Sequence, residues 1–422
     1  MGPTRRILLA LVAGAAAGLL LAWFDPALAD DVADLVQPVG QLWLNALQMT
    51  VVPLVLALVV VGVNTASDAA ASGRIARRAI LVFLAILSGG ALYTILAAPA
   101  LLSLVEPAPE LTAALGELST TATPAAPTGW AQQLVSIIPS NAIGAAATSA
   151  MLPLVVFALF LGFALTRIAE DRRALVLGFF QAIADAMIVV VHWVLWAAPV
   201  GVFALILAVC ARAGLSVLSA LGIYILLLCV LYIVATLAML PVARLFAGEP
   251  MRRFQAAIVP AQVVAGSTQS SLGTLPAMLE VADTRLGYPR RVTALVLPMA
   301  ATLMRVTSPI QYLAVAAFLA WVYGIDPTPA QWLGGAALAV VVSLGSVGLP
   351  GQVSFMATNL PVAQAMGLPV APLGLLLAVD TIPDVFATVG NVTADLTATG
   401  VVARRTCEDP RPGSCENGRS AP

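Results

Sequence analysis

Residues 375–399, LLLAVDTIPDVFATVGNVTADLTAT, are long and apolar enough to cross a bilayer, yet they carry Asp380, Asp384, Asn391 and Asp395. At about 100° per residue these four side chains fall at about 0°, 40°, 20° and 60°, on one narrow helix face. An acidic side chain at mid-membrane costs roughly 2.5–3.5 kcal/mol on insertion scales. Three on one face would together disfavour insertion by about 8–10 kcal/mol on the same scale. Such a face must look into protein or a wet cavity that holds cations or donors. A simple hydrogen-bonded seam between helices would explain one Asp or Asn but not four groups in register. The rest of the chain is therefore expected to supply the other walls of a polar site at membrane depth.

The surroundings fit. With 60% hydrophobic and 10% charged residues in 422, and a mean hydropathy of +0.99, this is the composition of a polytopic membrane protein. A net charge of −1 gives no case for a nucleic-acid partner. Four cysteines are too few and too scattered for a disulfide framework, and a lone His192 in an apolar span reads as a core residue. Arg5-Arg6, an apolar run and Ala27-Leu28-Ala29 imitate a cleavable signal peptide, but seven more hydrophobic segments follow, so an uncleaved first span is expected.

Spans are read at 7–24, 37–64, 78–104, 132–168, 174–210, 215–247, 290–323 and 369–403. The fourth carries Pro139 and Pro153 and is too long for one crossing, so it should be broken. Residues 105–130, rich in Pro, Thr and Ala without Arg, read as an exposed loop. All basic residues are arginine. With a cytoplasmic N-terminus, every arginine except Arg212 and Arg305 falls on the cytoplasmic side, provided residues 254–287 enter and leave by the same face. That asymmetry favours a re-entrant hairpin there. Its middle, GSTQSSLGTLP at 266–276, is polar and Gly-interrupted, and SLGSVGLPG at 343–351 does the same within 331–366. Non-helical backbone at membrane depth is tolerated where it lines a cavity or is buried in protein. Paired interrupted segments of this kind are the sequence mark of a transporter binding site.

This arrangement resembles the dicarboxylate/amino acid:cation symporters, the glutamate-transporter family, over nearly the whole chain. Met49-Thr50-Val51-Val52-Pro53-Leu54, Ile138-Pro139-Ser140-Asn141, Phe157 to Leu165 and Ala198-Pro199-Val200-Gly201-Val202-Phe203 resemble its N-terminal motifs. More specific are Ser270-Ser271-Leu272-Gly273-Thr274-Leu275-Pro276 and Gly348-Leu349-Pro350-Gly351, similar to the two hairpin tips. Asn391-Val392-Thr393-Ala394-Asp395-Leu396-Thr397 is similar to the end of the last span. The resemblance implies an all-α protein of eight transmembrane spans and two re-entrant helical hairpins, related as inverted repeats. It also implies a homotrimer in the bilayer of a bacterial inner membrane, with both termini cytoplasmic.

The implied division places scaffold spans at 1–77 and 132–214. Mobile transport elements fall at 78–131 (span 3 and an extracellular loop), 215–253 (span 6), 254–289 (hairpin 1), 290–329 (span 7), 330–368 (hairpin 2) and 369–404 (span 8). A cytoplasmic tail follows at 405–422. The transport elements would slide like an elevator, with the second hairpin as gate.

Hairpin tips present free N–H groups and positive half-helix ends that suit a carboxylate. Ser270, Ser271, Val347, Gly348, Pro350 and Gly351 are thus candidates for a substrate α-carboxylate, with Asn391 able to hold the same end. Thr388 belongs to the same candidate wall. Asp384 would hold an ammonium, as the matching family position does in amino-acid carriers. Asp380, Asn391 and Asp395 are the candidates for cation coupling, with sodium at Asn391 and Asp395, or a proton, as the coupling ion; no other cofactor is expected.

Two departures matter. Carriers of acidic amino acids in the family have an Arg three residues after the position of Asp384, where this chain has Ala387. Where some bacterial members keep an Arg in the first hairpin, it has Gln269. A small neutral amino acid is therefore the expected substrate. Secondly, the family's Asn-Met-Asp-Gly-Thr in the seventh span reads Met304-Arg305-Val306-Thr307-Ser308. An acid has gone and a cation has appeared. Like charges a few Å apart repel by about 4 kcal/mol even at an effective dielectric near 20. Sodium near Arg305 should bind far more weakly, with Arg305 either a tethered replacement for sodium beside Asp380 and Asp395 or a contact for a substrate anion. The second option describes a dicarboxylate or acidic amino acid:cation symporter. An anion-conducting, channel-like protein is the alternative class. No paired His/acid motif and no Ser or Cys beside a plausible base supports an enzyme.

Overall fold

A computed structural model describes residues 3–71, 73–106, 138–345 and 351–407. Among them the chain is helical without strands, an all-α polytopic membrane protein. Six helices there are long and apolar enough to cross a membrane, and four shorter apolar ones accompany them. The first group of helices is α1 (Pro3–Phe24), α2 (Pro26–Gln48), α3 (Val51–Ala71) and α4 (Arg74–Leu102). Then come α5 (Ala142–Ala147), α6 (Met151–Leu165), α7 (Glu170–Trp196), α8 (Ala198–Ala213) and α9 (Ser216–Val242).

Expected spans and observed helices differ where the backbone is interrupted. The stretch 37–64 bends at Met49–Thr50, between α2 and α3. The stretch 132–168 is broken as expected: residues 138–141 around Pro139 are non-helical, and Ser149 turns the chain again with φ +52°, while Pro153 sits in the first turn of α6, where a missing N–H is harmless. The stretch 174–210 is likewise two helices meeting at Ala197, since Pro199 has no N–H for the carbonyl of Leu195 and its ring would clash there in a continuous helix. Of the Pro/Thr/Ala-rich stretch 105–130, residues 107–130 lie outside the described residues.

Close helix approach in the first half depends on small residues, the usual device where lipid supplies no hydrophobic drive. A Cβ built on Gly18 of α1 would lie 2.6 Å from the carbonyl oxygen of Leu207 in α8. Trp43 of α2 covers α8 closely and donates its indole N–H to the carbonyl of Val194 in α7 at 3.0 Å. Arg212 at the end of α8 is clamped to Asp34 and Gln37 of α2.

The second half contains the two helical hairpins. The first is α10 (Met251–Thr268) and α11 (Ser271–Glu280); the second is α14 (Pro329–Gly345) and α15 (Gly351–Ala365). Between them lie α12 (Arg290–Leu303) and α13 (Thr307–Tyr323), and the chain ends in α16 (Leu373–Val379) and α17 (Thr381–Cys407). The first hairpin leaves from where it enters. A Cβ built on Gly400 of α17 would meet both Ala247, just before the hairpin, and the Tyr288 hydroxyl, just after it. Its tip lies at the far end of α17, where Gln269 reaches the carbonyl of Thr381 at 3.5 Å. At 1.5 Å per residue that is roughly 28 Å along the helix. The outer ends of the second hairpin also meet, through Gln331 Nε2–H donating to the carbonyl of Met366 at 3.0 Å. A compact apolar core joins the start of α4, the first hairpin, α12 and the second half of α17.

Candidate functional site

Two interrupted helices place the polar groups. In the span 290–323 a continuous helix would set the ring of Pro309 against the carbonyl of Arg305. The helix therefore stops at Leu303, Met304 takes φ −115° and ψ 87°, and α13 restarts at Thr307. The carbonyl of Arg305 accepts instead from the N–H of Ser308 at 2.9 Å. Pro383 does the same to the carbonyl of Val379, so α16 ends there and Asp380 stands at the junction with α17. Each break puts one ionisable side chain at a helix discontinuity.

α17 then presents its polar face inward. Asp380, Asn391 and Asp395 are 8%, 2% and 0% exposed, and Asp384 is half-buried. Asn391 Oδ1 accepts from the backbone N–H and from the hydroxyl of Thr307, both at 3.0 Å. Asp380 Oδ1 accepts from Gln311 Nε2–H at 2.7 Å and more distantly from the Tyr224 hydroxyl at 3.5 Å. Thr388 donates its hydroxyl back to the carbonyl of Asp384 at 2.9 Å. Among the described residues neither carboxylate oxygen of Asp395 has a hydrogen-bond partner. Buried polar atoms are almost always paired, so this orphaned carboxylate marks a place where a positive charge or a proton is needed.

Arg305 is half-buried and lies close enough to Asp380, Asp384 and Asp395 to interact electrostatically with all three. Among the described residues its guanidinium forms no hydrogen bond or ion pair. Among the described residues the buried hydroxyls of Tyr232 and Tyr312 also have no hydrogen-bond partner.

The first hairpin closes one side. Gln269 takes left-handed backbone at φ +51° to turn the tip. Ser270 Oγ accepts from Gly273 N–H at 3.0 Å as the cap of α11, which leaves its own O–H free to donate; Ser271 opens that helix. Gln262 of α10 donates to Thr393 of α17 at 2.9 Å and locks the hairpin to the acidic helix. Of the second tip, Val347, Gly348 and Pro350 lie outside the described residues, and Gly351 begins α15.

Sodium at Asn391 and Asp395 meets a geometric objection. The amide oxygen of Asn391 already accepts two hydrogen bonds, which uses both its lone pairs. A sodium ion there would have to be held by Asp395 and by carbonyl oxygens, with the nearby Arg305 guanidinium opposing it. Among the described residues no group of three or more His, Cys, Asp or Glu could hold a metal ion.

Several wall residues carried no signal of their own in the sequence. Gln311 stands one turn after Thr307 on an otherwise apolar helix, a spacing that marks a shared polar face. Tyr224, Tyr232 and Tyr312 look like ordinary aromatics of apolar spans, and nothing in their spacing points to an acid partner.

Comparison with known proteins agrees with this architecture. The chain is 29% identical over 404 residues to the proton/glutamate-aspartate symporter of Escherichia coli (strain K12), covering 94% of this chain and 92% of that one. It is 28% identical over 411 residues to the proton/sodium-glutamate symport protein of Bacillus subtilis (strain 168), covering 96% and 92%. With the neutral amino acid transporter B(0) of Oryctolagus cuniculus it shares 31% over 435 residues, 93% of this chain and 78% of that protein. The sequence profile of the sodium:dicarboxylate symporter family matches residues 4–405. By that match and by its helical-hairpin architecture, the chain is a membrane transporter, not an enzyme, and belongs to the sodium:dicarboxylate symporter family.

Proposed function

We propose that this chain carries a small neutral amino acid across the bacterial inner membrane, with Arg305 as a tethered cation that weakens or replaces sodium coupling. The observation that carries the reading is the placement of Arg305. Its guanidinium, without a hydrogen bond or ion pair among the described residues, lies within electrostatic reach of the three carboxylates of the final span. A covalently attached counter-charge lets Asp395 and Asp380 stay buried without a diffusible cation, so loading the site no longer requires one. Exchange of one substrate for another, or coupling to a proton on one of the aspartates, is then the expected mode.

Substrate recognition follows from the same walls. Ser270, Ser271 and the backbone of the second tip, Val347 to Gly351, hold the α-carboxylate, and Asn391 positions α13 beside it. Asp384 and Thr388 face the ammonium. Ala387, which is buried, offers no charge for a side-chain carboxylate. The neutral amino acid transporter B(0) among the relatives supports that choice of substrate. The moving body is built from α4, α9, both hairpins, α12, α13 and the final helix, sliding against the remaining spans in each protomer of a homotrimer with cytoplasmic termini.

A second reading rests on Arg305 forming no fixed ion pair among the described residues. A free guanidinium could grip a second substrate carboxylate, as in a carrier of acidic amino acids or dicarboxylates, and the glutamate-aspartate symporter among the relatives favours it. Competition separates the two. The neutral reading predicts that alanine or serine displaces bound substrate well and aspartate poorly. Equal competition by aspartate would transfer Arg305 to the substrate.

A further inference from the structure

Away from the polar site, a groove of about 460 Å³ opens between α4 and α9. Its walls are Leu81, Ala85, Gly89 and Tyr93 on one side and Ala238 and Met239 on the other, and its lining is apolar but for Tyr93 at one point and Arg405 at one end. The floor is Val306 and Ile310, immediately after the break at Arg305. Leu81 at the rim is 60% exposed and Phe246 is 52% exposed, so the groove is open along its length.

Several arginines gather at the Arg405 end. Arg78 donates from Nη1 to the carbonyl of Arg405 at 2.8 Å, which fixes the first turns of α4 against the end of α17. Arg74 and Arg77 stand on that same first part of α4, and Arg404 reaches the carbonyl of Leu245 beside Phe246. A long apolar slot that ends at a cluster of guanidinium groups matches a molecule with a hydrocarbon chain and an anionic head. Basic pockets between membrane helices at the cytoplasmic surface recognise phosphate headgroups in this way.

We propose that this groove is a binding site for one anionic phospholipid, with an acyl chain against Gly89, Val306 and Ile310 and the headgroup phosphate on Arg405. The chain's own tail fits less well. The chain beyond Cys407, residues 408–422, holds no Leu, Ile, Val, Met or aromatic residue to fill an apolar slot. Because the floor adjoins the break in the seventh span, an acyl chain seated there packs directly against the residue that follows Arg305.

The test uses the purified full chain with phosphatidylglycerol and phosphatidylcholine of identical acyl chains, and native mass spectrometry to count retained lipid. The wild-type protein is expected to retain phosphatidylglycerol in preference. Arg405→Gln should cut that preference about fivefold, the usual weight of one basic residue near anionic lipid. The substitution keeps the backbone carbonyl that Arg78 holds, so folding is not at stake. Gly89→Leu should abolish the preferential site, because a Cβ there meets nothing within 4 Å and the side chain fills the slot without a clash. Equal retention of both lipids by the wild-type protein, or an unchanged preference in both variants, would overturn the proposal. So would displacement of the bound lipid by glycerol 1-phosphate alone, which would show a phosphate site without an acyl chain.

Discussion

Asn391 on the final helix accepts two hydrogen bonds from Thr307, one from its backbone N–H and one from its hydroxyl, each 3.0 Å long. Thr307 is the first residue after the interruption in the seventh span, where the N–H groups of a restarting helix have no partner of their own. One amide side chain thus stabilises the break that brings Arg305 to the acids.

Removing that amide should loosen the break itself. Asn391→Leu leaves the buried Thr307 N–H unsatisfied, at a cost of about 1–3 kcal/mol. Thr307→Val removes only the hydroxyl contact and keeps the N–H bond, so it should cost about 1 kcal/mol. Thermal unfolding in detergent ranks the two variants, and transport should fail in Asn391→Leu. Equal melting temperatures would show that the amide does not support the break.

Asp380 is held chiefly by Gln311 at 2.7 Å, with Tyr224 at the margin of hydrogen-bond distance at 3.5 Å. A hydrogen bond to a charged group contributes about 1.5–3 kcal/mol. Gln311→Leu should therefore lower stability and transport markedly, and Tyr224→Phe should do little. The reverse order, read by melting temperature and initial uptake rate, would mean that Gln311 is only a neighbour.

Much of this was legible in the sequence, for physical reasons. A period of 3.6 residues was enough to put Asp380, Asp384, Asn391 and Asp395 on one face, and three of the four are deeply buried. The polar, Gly-interrupted segments mark both hairpins, since only turns and cavities tolerate such backbone in a membrane. Interruptions were harder to see. The break within 132–168 was expected but not its place at Ser149, and those at Ala197, Arg305 and Asp380 come from prolines two to four residues downstream. Partners such as Gln262, Gln311 and Tyr224 come from other helices and become visible only once those helices pack on α17.

Ala387 should govern substrate charge. Ala387→Arg places a guanidinium three residues from Asp384 and is expected to strengthen competition by aspartate about 10–100-fold, the weight of a charge-assisted hydrogen bond. Competition against a radiolabelled neutral amino acid measures it. No gain for aspartate would mean that position 387 does not face the side chain of the substrate.

Asp395 and Arg305 should behave as a coupled pair. Neutralising both members of a buried charge pair is often harmless, whereas removing one leaves the other uncompensated and is costly. Arg305→Gln is thus expected to destabilise the protein, and the same change in an Asp395→Asn background to cost less. The difference should be about 0.5–3 kcal/mol in a double-mutant cycle. Additive effects would separate the two residues.

The central claim is that Arg305 takes the place of a diffusible cation, and uptake into proteoliposomes with and without an inward sodium gradient tests it most directly. The account predicts that the wild-type chain exchanges substrate at nearly the same rate in sodium and in choline, and that Arg305→Asp makes uptake sodium-dependent. Steep sodium dependence of the wild-type protein, with several ions moved per substrate, would contradict it.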